Sequence, residues 1–296
     1  MSTPQPSHSE TAWLLLPTWV ALAWTVSKAS WFWEHRPDLQ FGWVLVLLCG
    51  FLTWEAWEQR PKLTVKWNGA SVGLGCAGLG LLAVIQVYQA AFGMNAATMC
   101  GLALACQIVI TSNLLYVFGR EGLKRFSFGF GFLLIAMPLP SAVEGPLTST
   151  LQGLISTLNV EVLNLLGVPA RRIGSLIQLP GGVVGVDEAC SGIRSLQATV
   201  MATLFIGRLT LGSLGLRTVL FVMGLGLAVF GNLVRSLILS FTASSKGIAA
   251  VEAAHDASGW SILAFTAAGV AVAGWLLAKL ECKALIYPAK PSNHQD

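Results

Sequence analysis

The chain has 296 residues, of which 54% are hydrophobic and only 11% are charged, and its mean hydropathy is +0.68. Soluble domains carry roughly 25% charged residues, so this composition excludes a soluble globule of this size. The net charge of +4 is too small and too dispersed for a nucleic-acid-binding protein. The composition therefore predicts an all-α polytopic membrane protein, with residues 1–296 forming a single integral-membrane domain.

A helix that crosses a bilayer needs roughly 20 mostly apolar residues. Eight stretches meet or approach this length: residues 11–27, 41–57, 69–93, 95–119, 127–140, 195–215, 217–243 and 258–280. We expect short tails at 1–10 and 284–296. The fifth stretch is short and ends in Pro138 and Pro140, so both a short span and a re-entrant segment stay open, and we count it as a span.

Basic residues identify the cytoplasmic side of a membrane protein. With eight spans they fall in the loops on one side and after the last span: Arg60, Lys62, Lys66, Arg120, Lys124, Arg125, Arg208, Arg217, Lys279 and Lys283. We therefore expect both chain termini on the cytoplasmic side. Arg171 and Arg172 are exceptions, and they lie in a long outer segment, where the rule is weak.

Residues 141–190 form an outer-face segment of a different kind. Leu147, Leu151, Leu154 and Leu158 recur at helical spacing, which predicts an amphipathic helix at the outer interface. "SLIQL" and "VVGV" around "PGG" predict a small β-hairpin. This insertion would deliver Cys190 to the start of the sixth span.

The stretch "DEACSGIRSL" at 187–196 places charges around one thiol, Cys190. A helix start and a nearby cation lower a thiol pKa, and Arg194 follows four residues later. Asp187 and Glu188 would oppose ionisation if close, or would instead pair with an arginine or contact substrate. Most membrane cysteines are small apolar residues, which is our interpretation of the four other cysteines inside spans, Cys49, Cys76, Cys100 and Cys106.

"LAVFGNLVRSLILSFTA" places Asn232 and Arg235 three residues apart within an apolar run. A charged residue inside a span is costly and usually faces a partner or a cavity, although a long side chain near a span end also extends to the interface. An inward arginine could bind a carboxylate, or stabilise the oxyanion formed when a thiolate attacks an amide.

A nucleophilic thiol usually needs a base. His35 and His255 are the two histidines on the predicted outer side, and His255, in "VEAAHDASGW" just before the last span, is the better placed. A second interpretation of His255, which the sequence supports equally, is a polar residue at the membrane interface without a catalytic role.

Two other classes of function remain at this point. One is a transporter or scaffold that binds an anionic ligand at Arg235, although the two halves of the chain show no repeat. The other is a thiol redox protein, which is disfavoured because no second cysteine forms a CxxC motif with Cys190.

"ACSGIRSL", "GNLVRSLIL" and "AAHDASGW", in this order in a multi-span chain, resemble the exosortase/archaeosortase family over about residues 127–280. The resemblance implies a membrane cysteine protease or transpeptidase with Cys190 as nucleophile and with Arg235 and His255 as its catalytic partners. Arg194 belongs to the cysteine motif with a less defined role. Asn232 and Glu188 would bind substrate or support the site.

The resemblance also implies what the enzyme acts on. Its substrates would be exported proteins with a C-terminal tail made of a Pro-Glu-Pro type signature, a transmembrane helix and a basic cluster. The acceptor would be a cell-surface group or an exopolysaccharide, and no cofactor or metal is expected. The protein would lie in membrane lipid, in a bacterial inner (plasma) membrane, with its active site on the periplasmic or outer face.

Overall fold

A computed structural model describes residues 8–180, 182–185, 193–247 and 249–286. The side chains at 8–10, 249, 252–256 and 283–286 are outside this description. The described residues form α1 (His8–Leu14), α2 (Leu16–His35), α3 (Gly42–Glu58), α4 (Gly69–Phe92), α5 (Ala96–Phe132), α6 (Ser141–Leu165), β1 (Arg171–Ile173), β2 (Leu176–Leu179), β3 (Gly182–Gly185), α7 (Ile193–Thr210), α8 (Leu214–Lys246) and α9 (Ala249–Ile286), with 3₁₀ turns at Pro37–Leu39 and Leu133–Ala136.

The chain packs as two compact units, one ending at Glu144 and the other beginning at Gly145. Five segments of the described chain are long and apolar enough to cross a membrane: Pro37–Glu58, Gly69–Phe92, Ala96–Ala136, Leu214–Lys246 and Ala257–Cys282. The protein is therefore a helical, multi-pass membrane protein, and eight crossings stay a prediction.

Helix α5 contains a chain reversal at Gly119, where φ is +66° and ψ is −159°. Cys100 Sγ donates a hydrogen bond of 2.9 Å to the carbonyl oxygen of Pro138, 38 residues later. A straight helix would separate these residues by about 57 Å, so the chain turns back at Gly119. The two predicted apolar stretches, 95–119 and 127–140, therefore run antiparallel, as successive spans would, and the charged residues 120–125 between them are helical.

The expected first span, 11–27, is wrong in its bounds. Helix α1 ends at Leu14, and α2 begins at Leu16 with Pro17 in its first turn. Proline is tolerated there because the first N–H groups of a helix have no carbonyl partner within it. Helix α2 then continues past residue 27, where the predicted span ends, to His35. The buried Trp33 secures its end, because its Nε1 donates to the carbonyl oxygen of Ala136 at 2.8 Å.

The segment at 141–190 contains the predicted helix, α6, but this helix buries a different face from the one that carries the leucines. In α6 the buried positions are Ile155, Ser156, Asn159 and Leu163, which follow helical spacing, whereas Leu154 is 43% exposed. The leucines from Leu147 to Leu158 are therefore not on the buried side of α6. The asparagine, which the pattern of leucines does not include, lies on the buried side.

The predicted hairpin is present as β2 and β3, and a further strand, β1, precedes it. The order is β1-β2-β3, with all pairs antiparallel and Ile177 opposite Val184. Buried side chains of the hairpin pack against α6 and α8 in one apolar cluster: Ile155, Leu163, Ile177, Leu179, Val184, Leu239 and Ala243. This cluster fixes the sheet to the last turns of α8.

Helix α7 packs against α8 and α9 through small residues. Added to Gly224 of α8, a Cβ atom would lie 2.3 Å from Thr203 Cγ2 and 3.1 Å from Thr199 Cγ2. Small residues allow such close approach between membrane helices. Because its threonine face is buried in protein, α7 needs fewer apolar residues than a helix surrounded by lipid.

We predict that Gly224→Val lowers the thermal unfolding midpoint of the detergent-solubilised protein, because overpacking costs about 1–3 kcal/mol. Gly226→Val is the matched control, since a Cβ atom there has no neighbour within 4 Å. Differential scanning fluorimetry compares the two. Equal midpoints would contradict the close packing of α7 on α8.

Candidate active site

Arg235 of α8 points at α9. A Cβ atom built on Gly259 would lie 3.1 Å from Arg235 Nη2 and 3.4 Å from Arg235 Cζ. The guanidinium therefore occupies the space that a side chain at position 259 would fill. Of the two orientations open to this residue, the structure has the inward one, between two helices.

The contact between α8 and α9 continues one turn before Arg235. Gly231 faces Ile262 and Thr266, at 2.8 Å and 3.3 Å from its added Cβ atom. Asn232, three residues before Arg235, is only 4% exposed. The predicted pair on one helix face is thus present, and both members are within the protein.

His255 belongs to α9, but its side chain is outside the description. Its backbone position is four residues before Gly259, which places it on the same helix face, one turn away. Helices α8 and α9 are antiparallel, with Gly224 opposite Val270 and Arg235 opposite Gly259. One further turn in this register brings position 255 to the level of Leu239, beyond Arg235 toward the end of α8.

Cys190 and Glu188 lie outside the described residues. The chain on either side is described: β3 ends at Gly185, and α7 begins at Ile193. In the antiparallel pairing of α7 with α8, Gly207 faces Leu220 and Thr203 faces Gly224. Extended to the first turn of α7, this register reaches the level of Asn232 and Arg235.

Arg194, the second residue of α7, is exposed, while its neighbour Ile193 is buried. The helix positions that pack inward are Ile193, Thr199, Thr203 and Gly207. The structure therefore does not bring Arg194 into the α7–α8–α9 interface.

Asn159 of α6 is a residue of this region that the sequence interpretation missed. It is fully buried, and its Nδ2 donates to Ser236 Oγ at 2.5 Å and to Ser240 Oγ at 3.3 Å. Ser236 directly follows Arg235 in α8. Two features of the sequence could have indicated this contact. Asn159 is at helical spacing from Ile155 and Leu163, and Ser236 and Ser240 are one helical turn apart.

His35, the other histidine predicted to lie on the outer side, contacts its own helix in the first unit. Its ring stacks on Trp31 with centroids 4.7 Å apart, and Nδ1 lies 2.8 Å from the Trp31 carbonyl oxygen. The adjacent Arg36 pairs with Glu144 and Asp38 at 2.5 Å and 2.7 Å. The hydrogen bonds that Arg36 donates to Glu144, together with its hydrogen bonds to Asp38 and the negative charges of both carboxylates, raise the pKa of Arg36 further above its ordinary value.

Among the residues that the structure describes, no group of three or more histidine, cysteine, aspartate or glutamate side chains could hold a metal ion. The cysteines in α3, α4 and α5 behave as small helix residues. Cys49 and Cys106 are buried, Cys76 is exposed, and Cys100 bonds to the backbone.

A family model described as transmembrane exosortase matches residues 33–272 of the chain. This range covers most of each unit and includes every candidate site residue. No curated protein and no solved structure matches the chain significantly.

Because the sequence predicts a catalytic role for Arg235, we expect Gly259→Ala to lower cleavage of a peptide substrate about tenfold, since small misplacements of catalytic groups are costly. The added methyl would lie 3.1 Å from Arg235 Nη2 and displace the guanidinium. Gly226→Ala, in open space on α8, is the control. If both variants are present in the membrane in equal amounts and cleave at equal rates, the position of the Arg235 guanidinium does not affect the reaction.

Proposed function

Because the chain belongs to the transmembrane exosortase family, whose members are cysteine-dependent transpeptidases, we propose that it cleaves the C-terminal sorting tail of exported proteins through a thioester on Cys190. The substrates would carry a short Pro-Glu-Pro type signature followed by a transmembrane helix and a basic cluster. Family membership supports the membrane transpeptidase role in general. The substrate and the covalent intermediate are our proposal.

In the first half-reaction the Cys190 thiolate attacks the carbonyl carbon of the scissile peptide bond. The carbonyl oxygen becomes an oxyanion, which the Arg235 guanidinium stabilises by charge-assisted hydrogen bonds. The C–N bond then breaks as His255 gives its proton to the leaving amine. The products are a thioester on Cys190 and the released tail.

In the second half-reaction an acceptor amine, hydroxyl or water attacks the thioester carbonyl. His255, now neutral, takes the proton from the acceptor, and the thiolate of Cys190 leaves. The upstream protein is thereby joined to a cell-surface group or exopolysaccharide, or released by water. The same oxyanion position forms in both halves, so one guanidinium serves twice.

The observation that carries this proposal is the inward position of Arg235 over Gly259. An arginine stays protonated and presents its donors in a fixed planar fork, which suits a charged transition state better than a flexible ammonium. Position 255 lies one helical turn away on the same face of α9, and the first turn of α7, three residues after Cys190, is at the same level of α8.

The depth of the site fits a cleavage point next to a transmembrane helix. Arg235 precedes Lys246, the last residue of α8, by about 16 Å of helix. We place this end on the periplasmic face of a bacterial inner membrane, because the basic loops lie at the opposite ends of the helices. A substrate would reach the site laterally through the bilayer, helix against helix.

The proposal is tested with Cys190→Ala. We expect this variant to insert normally and to leave a co-expressed sorting-tail substrate uncleaved, since removal of the nucleophile removes the covalent step. Mass spectrometry of the membrane fraction measures the full-length precursor, including precursor that copurifies with the variant.

Cys76→Ala is the matched control, because Cys76 is an exposed cysteine inside α4. It should process the substrate at the wild-type rate. Wild-type processing by Cys190→Ala would end the thiol mechanism and would favour a non-covalent role for Arg235, such as binding of an anionic solute.

A further inference from the structure

The first unit contains an apolar cavity of about 400 Å³ between α2, α3 and the part of α5 that follows Gly119. Its walls include Trp19 and Leu22 of α2, Val46 and Trp57 of α3, and Phe130 of α5. An empty cavity of this size would forfeit the dispersion contacts of its lining, and water would find almost no polar partner there. The cavity therefore requires an apolar occupant.

The position of the cavity identifies the solvent from which that occupant comes. The α3 residues that line it follow one face of a helix long and apolar enough to cross the membrane. Gly50 lies on this face and is exposed, so the cavity opens sideways from the protein. At this depth the surrounding medium is lipid hydrocarbon.

Two arginines stand at the end of the cavity where α3 finishes. Arg60 stacks over Trp57, with Cζ 4.7 Å from the ring centroid, and Nη1 donates to the Trp57 carbonyl oxygen at 3.2 Å. Arg125, one helical turn before the lining residue Gly129, donates to Gln59 Oε1 at 2.5 Å. Both cations are thus held at this end of the cavity.

From this arrangement we infer that the cavity binds an acyl chain of an anionic phospholipid, with the lipid headgroup on Arg60 and Arg125. Basic pockets between helices on the cytoplasmic side suit such headgroups, and the loops that carry these arginines lie on that side by the distribution of basic residues. Glu55 falls outside the helical spacing of the cavity-lining residues Gly50 and Trp54, whereas Glu58 lies one turn after Trp54, at the same end of α3 as Arg60.

The lipid site lies wholly in the first unit and does not depend on the transpeptidase proposal. Its test uses the full-length protein in dodecyl maltoside, titrated with dioleoyl phosphatidylglycerol or with dioleoyl phosphatidylcholine. Native mass spectrometry measures bound lipid, and thermal unfolding measures the stabilisation that binding produces. We expect tighter binding of phosphatidylglycerol than of phosphatidylcholine.

Variants at one glycine examine the acyl-chain part of the site. A Cβ atom on Gly50 would have no neighbouring atom within 4 Å. We therefore expect Gly50→Ala and Gly50→Leu to fold, and their side chains to fill the cavity progressively. We expect a graded loss of phosphatidylglycerol affinity, more than tenfold for Gly50→Leu. Gly80→Leu is the control, because Gly80 of α4 is also exposed with open space around it and is remote from the lining.

Variants at the two arginines test the binding of the lipid headgroup. A cation near a lipid headgroup contributes about fivefold in affinity, so Arg60→Gln with Arg125→Gln should lower phosphatidylglycerol affinity about 25-fold and abolish the preference over phosphatidylcholine. Lys124→Gln, an exposed neighbour of equal charge, should change little. Equal affinities for the two lipids in the wild type, or unchanged binding by Gly50→Leu, would overturn the proposal. Substrate processing lost in Gly50→Leu with lipid binding intact would assign the cavity to a protein segment instead.

Discussion

The packing of the Arg235 guanidinium on Gly259 is the interaction on which the account of this protein depends. A permanent charge inside an apolar helix needs a partner or a cavity. The missing side chain at position 259 supplies the space, with Nη2 3.1 Å from where a Cβ atom would lie. This contact lies in the register of α8 against α9 that Gly224 with Val270 and Gly231 with Ile262 also follow, and in that register position 255 is one turn from Gly259.

Helix α6 and the three-stranded sheet are bound to the same stretch of α8. Asn159 hydrogen-bonds to Ser236 and Ser240, and the sheet shares an apolar cluster with Leu239 and Ala243. A buried amide between helices has no water to compete with it, so such bonds contribute about 0.6–2 kcal/mol each in membranes. The strand that leads toward Cys190 is consequently anchored to the helix that carries the arginine.

The sequence predicted the helical membrane class, the β2–β3 hairpin and the position of Arg235 within a span, because hydropathy, turn residues and a single buried charge are local signals. It also predicted a return of the chain after residue 119, because the basic residues 120–125 separate two apolar stretches, but it did not predict that these residues would be helical. Asn159 was missed because its partners are distant in sequence. The side chain of His255, like Cys190 itself, lies outside the described residues, so their roles stay predictions.

The most direct measurement is the detection of an acyl group on Cys190. Wild-type protein would be mixed with a substrate that carries the sorting signature, without added acceptor, quenched in acid, digested and analysed by mass spectrometry. The account predicts that the peptide containing Cys190 gains the mass of the upstream product less one water, and that neutral hydroxylamine removes this adduct. Cleaved substrate with no adduct on Cys190, or with an adduct on a different residue, would contradict it.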